Sequence, residues 1–388
     1  MENKSAQCAN ANLLQSKTID SLRFPLALRV VFIHQEEQFI EHTTNTLDVV
    51  FNFSYSFLSH TITAISVPLF FLFSGYLYFY KIEKFDKGVY FSKTRKRVKS
   101  LILPYFYWNL IAVLFYLVLN ILSVVIKGNS VQMLDDYFSS LNWHTFWDSS
   151  STSGGTCCFG MYKTSGLTGP LVMALWYVRN LIILVLISPV IYYLVKKTGT
   201  YLIFLLGGCY FSGIWLNCTY FNITGVFFFT WGAYMSLNKM TIIDCLSKWK
   251  VFFYIGAIIW ALLYAYLDVT GKNGFWLAIS KPAYVICGVI SVYNIMYSLI
   301  KSGRHTNQLP FLAKSSFFIF CIHLIGINHY VALVVQKVVN FAFSFSPSFA
   351  HIIGYILSPF AVTAVCVIIY AVMSKYSPKL TAALMGNR

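Results

Sequence analysis

The sequence predicts an all-α integral membrane protein of about ten transmembrane helices, with both termini in the cytoplasm. Three observations carry this. The 388-residue chain is 57% apolar and only 11% charged, whereas a water-soluble protein carries about 25% charge. So few charges cannot coat a soluble globule, and the same shortage excludes disorder and coiled coils, which need polar surface. Apolar stretches long enough to cross a bilayer recur along the chain. The basic residues fall into short runs that alternate with basic-poor segments, the positive-inside pattern. The 29 Lys+Arg against 13 Asp+Glu leave a net charge of +16. On a soluble chain that would suggest nucleic acid, but this placement assigns the charge to topology.

Residues 1–20 are polar, carry no cleavable signal and form a cytoplasmic N-terminal segment. The membrane domain is expected over 21–374 and a cytoplasmic tail over 375–388. The first span, about 22–34, is the weakest, because LRFPLALRVVFIH is short and holds two arginines. Asp20 or Ser21 is its expected N-cap, and Pro25 then falls in the first turn, where a missing N–H costs least. The loop 35–48 has acidic residues and no Lys or Arg. Residues 46–61 form an amphipathic lead-in to the second span, 62–80. Segment 81–99 holds eight Lys/Arg and marks the cytoplasmic side. The third span, 101–126, contains the unbroken run IAVLFYLVLNILSVVI. The long outer loop 127–170 includes the Ser/Gly-rich SSSTSGGTCCFG, which has no periodicity and is expected to be an irregular surface loop or a lid. The remaining spans are 171–195, 200–216, 223–237, 251–268, 277–300, 313–336 and 351–374. No internal repeat is evident. The nine Cys form no CxxC and no His/Cys ligand spacing, so no metal site is expected. The pair Cys157–Cys158, expected in an outer loop, could be oxidised, but adjacent cysteines are more often two free thiols or partners of others.

Ionisable side chains inside spans are expensive and are functional candidates by default. They are Arg23, Arg29 and His34 in the first helix, Arg179 in the fourth and His323 in the ninth. Arg23 and His34 are eleven residues apart, three turns plus roughly 20°, so they share one helix face about 16 Å apart along the axis. Arg23 lies near the cytoplasmic surface and His34 deeper. That spacing suits a long ligand with an anionic end, such as coenzyme A. Its phosphates would pair with the planar donor fork of an arginine. Its thioester would reach a histidine able to take a hydroxyl proton or to attack the acyl group. Arg29, about 240° round from Arg23, is expected to meet a carboxylate or carbonyl inside the bundle. No carboxylate is clearly placed to orient His34, although Glu36 and Glu37 are near in sequence.

Several stretches resemble the membrane acyltransferase-3 family. Arg23 through His34 is similar to its first-helix signature of Arg, ten residues, then His. Val67-Pro-Leu-Phe-Phe-Leu-Phe-Ser-Gly-Tyr76 is similar to its VPLFFxxSGY. Lys96-Arg-Val-Lys-Ser-Leu-Ile-Leu-Pro-Tyr105 resembles the basic loop entering the third helix. Leu175-Trp-Tyr-Val-Arg-Asn180 resembles LWFxRD, and Ser315-Ser-Phe-Phe-Ile-Phe-Cys-Ile-His323 resembles SFFIYxIH. The matches come in family order and span 22 to 323. The resemblance implies ten helices and transfer of an acyl group, usually acetyl, from cytoplasmic acyl-CoA to a hydroxyl of a surface glycan or glycolipid precursor. It implies that His34 is the catalytic residue. Arg23 with Arg95, Arg97 and Lys99 would contact the donor, and no metal is involved. Arg179, Trp176, Ser74 and His323 are the expected substrate-binding candidates. Ser74-Gly75 also reads as a close-packing pair, and Trp176 as an interfacial belt residue. Asn180 stands where the family often has Asp, and Arg29 where an apolar residue is usual. The motif wording is similar to versions from gut-type Gram-negative bacteria, which implies an inner membrane. A polytopic glycan or lipid transporter is the rival reading. It is weakened by the lack of a repeat.

Overall fold

The computed structural model describes residues 2–35, 46–157, 162–216, 218, 220–271, 274–303 and 310–387. Among these residues the chain is a helical bundle with one small hairpin. The first helix, α1, runs Glu2–Ile33, and α2 (Thr46–Tyr55) continues through a π turn (Ser56–Thr61) and a 3-10 turn (Ile62–Ile65) into α3 (Ser66–Phe79). The basic helix α4 (Lys87–Arg97) passes through a π turn (Val98–Ile102) into α5 (Leu103–Lys127). After α6 (Gln132–Ser140) come β1 (Ser150–Cys157) and β2 (Tyr162–Gly169), then α7 (Trp176–Leu186), α8 (Ser188–Thr198), α9 (Thr200–Ser212) and α10 (Ile223–Leu237). The rest is α11 (Ile242–Leu246), α12 (Lys250–Val269), α13 (Phe275–Lys301), α14 (Pro310–Ile322), a π turn (His323–Ile327), α15 (Asn328–Ala342), α16 (Pro347–Tyr376) and α17 (Pro378–Leu384).

Each of the ten expected spans falls on helix, but they are not equal. Six described helices are long and apolar enough to cross a membrane. A seventh is the pair α7 and α8, bent by 64°. Pro189 in the first turn of α8 places that bend, because proline cannot continue the hydrogen-bond ladder. Two more, α9 and α10, are apolar but shorter. The first expected span lies in the C-terminal third of α1.

Two expectations are corrected. Helix α1 begins at Glu2, so neither Asp20 nor Ser21 caps it and Pro25 lies inside it. The Thr18 and Ser21 hydroxyls bond back to the carbonyls of Leu14 and Lys17 at 2.7 and 2.5 Å, as side chains within a helix do. Leu22 and Leu26, both buried, hold the helix in the bundle through the proline. The segment 127–170 is also more ordered than its composition suggested. Strands β1 and β2 pair antiparallel, Ser150 with Gly169 and Cys157 with Tyr162, with irregular register around Gly154. Backbone pairing does not need the apolar alternation that sequence reading looks for. Cys158 lies outside the described residues.

Small residues set the closest packing. A Cβ on Gly75 would lie 2.0 Å from the Phe229 carbonyl oxygen, and one on Gly232 2.1 Å from that of Leu72. Helices α3 and α10 therefore touch backbone to backbone, which is the packing role expected of the Ser74-Gly75 pair. The tail folds back: α17 packs on α5, where the Trp108 indole donates to the Leu384 carbonyl at 3.1 Å.

Candidate active site

Helices α1 and α14 pack side by side and carry matching features at both ends. At the basic end lies a cavity of about 400 Å³. Arg23 of α1, Arg97 at the end of α4, and Lys314 and Ser316 of α14 line it, with Ser74 and Tyr177 on its wall. Phe70, Phe73, Phe317 and Phe320 supply its apolar surface. Among the described residues no carboxylate lines it, so three cations face a largely apolar hollow. Such a site takes an elongated ligand with an anionic end. Arg23 also meets Asp20 at 3.2 Å on the partly exposed rim. Arg97 lies over the Tyr78 ring, 5.9 Å from its centroid. Ser74 and Tyr177 share a hydrogen bond of 3.0 Å, which fixes the wall between α3 and α7.

The two helices run in the same direction from this cavity. Ser316 lines it and His323 follows seven residues later on the same helix face, roughly 10 Å further along. Arg23 lines it and His34 follows eleven residues later. The His34 and His323 rings meet there, with centroids 5.2 Å apart and planes at 47°. His34 stands in a turn just past the end of α1, its N–H on the Val31 carbonyl at 3.2 Å. Asn328 holds that turn: it donates to the His34 carbonyl at 2.5 Å, and its side-chain oxygen accepts from the buried Gln35 amide. His323 is fully buried and bonds through Nδ1 to the Ile319 carbonyl at 2.9 Å. Between His323 and Asn328 the helix breaks, at Ile325 (ψ 68°) and Gly326 (φ 75°). Irregular backbone at membrane depth is expensive and recurs at functional sites.

The sequence-predicted residues therefore divide. Arg23, Ser74 and Arg97 share one cavity, and His34 and His323 share one contact. Arg95 and Lys99 are exposed and do not line the cavity. Trp176 is half-buried beside Phe71. Arg179 does not line the cavity and is fully buried beneath the β1–β2 hairpin. It donates to the carbonyls of Trp147 at 2.5 Å and Thr168 at 2.7 Å and to the Asn180 side-chain oxygen at 3.2 Å. Its guanidinium also sits over the Tyr220 ring at 4.8 Å. Nearby, Asp148 accepts from Tyr220 at 2.5 Å and contacts His144 at 2.6 Å. The Tyr220 hydrogen bond, helped by His144, holds the Asp148 carboxyl below its ordinary value. Arg29 has a buried Nη1 without a hydrogen-bond partner among the described residues, with Tyr284 as its electrostatic neighbour. Glu36 and Glu37 lie outside the described residues.

Three features were not singled out from the sequence. Lys314 reads as an ordinary anchor at a helix start, since long basic side chains reach the interface from many positions. Asn328 lies beyond the matched motif, with no signal of its own. At the opposite end of the bundle from the cavity, His60 meets Asp268 at 2.6 Å and Ser56 donates to the same carboxylate at 2.7 Å. Their separation of more than 200 residues hides this pairing from any local pattern.

Among known proteins, the acyltransferase-3 family model, described as an acyltransferase domain, matches residues 16–371. The succinoglycan biosynthesis protein ExoH of Rhizobium meliloti (strain 1021) is 24% identical over 340 residues, covering 86% of this chain and 81% of that protein. No solved structure matches at a significant level.

Proposed function

This chain belongs to the acyltransferase-3 family and is an acyltransferase, and from that premise we propose that it moves an acetyl group from cytoplasmic acetyl-CoA to a hydroxyl of a surface glycan or its lipid-linked precursor. The observation that carries the reading is the alignment along α1 and α14. A cation-lined cavity at one end is followed, about 16 Å further along α1, by His34 against His323. The donor's phosphates pair with Arg23, Arg97 and Lys314. Arg95 and Lys99, exposed on the same basic segment, add longer-range attraction. The pantetheine arm passes the phenylalanine wall with its thioester toward His34.

His34 takes the acceptor's hydroxyl proton as that oxygen attacks the thioester carbonyl. The C–S bond breaks, and the departing thiolate receives the proton from His34, leaving an ester and coenzyme A. Transient acylation of the same imidazole followed by transfer gives the same balance. Ser74 stands on the wall of the donor cavity, and Arg179 builds the outer wall by holding the hairpin. The glycan acceptor is favoured by the similarity to ExoH, a succinoglycan biosynthesis protein. The reading places the chain in the bacterial inner membrane as ten spans with both termini cytoplasmic.

The test is transfer or hydrolysis of labelled acetyl-CoA by the purified protein in liposomes, with His34→Ala and Arg23→Ala alongside. The reading expects turnover by the wild type, binding without turnover by His34→Ala, and weakened binding by Arg23→Ala. A folded wild type that binds neither acetyl-CoA nor longer acyl-CoAs would overturn it.

A further inference from the structure

The ring of His323 has one nitrogen engaged and one not. Its Nδ1 donates to the Ile319 carbonyl at 2.9 Å, because a carbonyl oxygen can only accept. Its Nε2 therefore carries a lone pair. That atom is buried and has no hydrogen-bond partner among the described residues, in a side chain that is 0% exposed. A buried acceptor left unpaired costs free energy and calls for an explanation at its site.

The neighbour that can supply one is His34. Two imidazoles joined by an N–H···N bond of about 2.9 Å have centroids roughly 5 Å apart. The observed separation is 5.2 Å. At that separation a His34 N–H can reach the His323 lone pair. Both backbones are held in place. Asn328 clasps the His34–Gln35 turn, and Asn328 and His323 flank the same break in the ninth span. A break with one ring before it and one clasp after it, both addressed to His34, is an arrangement for setting that residue.

We infer that His323 is the positioning residue for His34, accepting its inner N–H and so leaving the lone pair on its outer nitrogen. In Ser-His-Asp enzymes a carboxylate fixes the base's tautomer in this way. Here a neutral imidazole held by the Ile319 carbonyl takes that place, in a region where an unpaired buried carboxylate would be far more expensive. Acting through His34, it need not touch donor or acceptor. The inner proton stays shared between the two rings throughout, while the outer nitrogen takes the hydroxyl proton and returns it to the departing thiolate. This rests on the proposed role of His34 and adds the group that orients it.

The experiment uses the full chain in liposomes and two readouts. The first is the ¹⁵N spectrum of ring-labelled histidine, with His34 assigned by its loss in His34→Gln. The His34 nitrogens should shift in His323→Phe, which keeps a ring but removes the acceptor. They should return toward wild type in His323→Gln, whose side-chain oxygen reaches the Nε2 position. The second is labelled acetyl-CoA turnover. His323→Phe should lower kcat by roughly a hundredfold or more, within the range for general acid–base groups, with the donor KM changed less than about twofold. His323→Gln should recover most of the loss. A His34 spectrum unmoved in His323→Phe overturns the inference, as does equal loss in the Phe and Gln variants when both melt like wild type. If the wild type turns over no acyl-CoA, the functional reading fails, yet the spectra still decide whether the two rings are coupled.

Discussion

Replacing Arg179 with methionine tests whether this buried charge holds the β1–β2 hairpin. The substitution keeps most of the stem's volume and removes the guanidinium. Lost with it are the bonds to Trp147 at 2.5 Å and Thr168 at 2.7 Å, both from a charged donor to a backbone carbonyl, and the stacking over Tyr220. Bonds from a charged donor contribute about 1.5–3 kcal/mol each. Part of that is offset because the variant no longer buries a charge. The net loss is about 3 kcal/mol, roughly a hundredfold in a local opening equilibrium. Trp147 precedes β1 and Thr168 lies within β2, so the loss should fall on the hairpin. Hydrogen exchange of the β1 and β2 amides should speed by about that factor, while α12 and α13 exchange as before. Arg179→Lys should fall between, because a single ammonium cannot bridge both carbonyls in a planar fork. Wild-type exchange in the hairpin of Arg179→Met would refute the reasoning and return Arg179 to direct acceptor binding.

Three further outcomes follow from particular contacts. Gly326→Ala puts a Cβ 2.4 Å from the Phe115 ring at φ 75° and should cost about 2–3 kcal/mol in thermal stability in detergent. Gly326→Ala with Phe115→Leu should recover only the steric part. Gly75→Ala meets backbone at 2.0 Å, so α3 and α10 must separate, and a loss of about 3 kcal/mol or more is expected in the same melting assay. Because Asp148 is held below its ordinary carboxyl value, its contribution is complete above the unfolded value and lost as pH falls through the folded one. Hairpin exchange should therefore accelerate as pH drops below about 4, and Tyr220→Phe should weaken that dependence.

The class of fold was legible because low charge and long apolar runs leave few alternatives, and each expected span coincides with helix. The Arg23–His34 spacing was legible because it is local, measured along one helix. Features that depend on distant pairings were not. The start of α1 was misplaced because its first twenty residues are polar and carry no hydropathy signal. The hairpin was missed because its Ser/Gly run pairs through backbone. Arg97 could not be separated from Arg95 and Lys99, since neighbouring cations look alike until α4 turns one of them into the cavity. Asn328 and the His60–Asp268 pair join segments hundreds of residues apart.

Acetyl-CoA affinity across the basic end tests the central assignment most directly. Binding to the detergent-purified protein would be measured for the wild type and for Arg23→Ala, Arg97→Ala, Lys314→Ala, Arg95→Ala and Lys99→Ala. The account predicts that Arg23→Ala and Arg97→Ala raise Kd by at least about tenfold, as loss of a charge-assisted bond to phosphate should, with Lys314→Ala next. Arg95→Ala and Lys99→Ala, which lie off the cavity, should change Kd less than about threefold, and more weakly still at high salt. Equal losses at all five positions, or none at Arg23 and Arg97, would contradict the placement of the donor in this cavity.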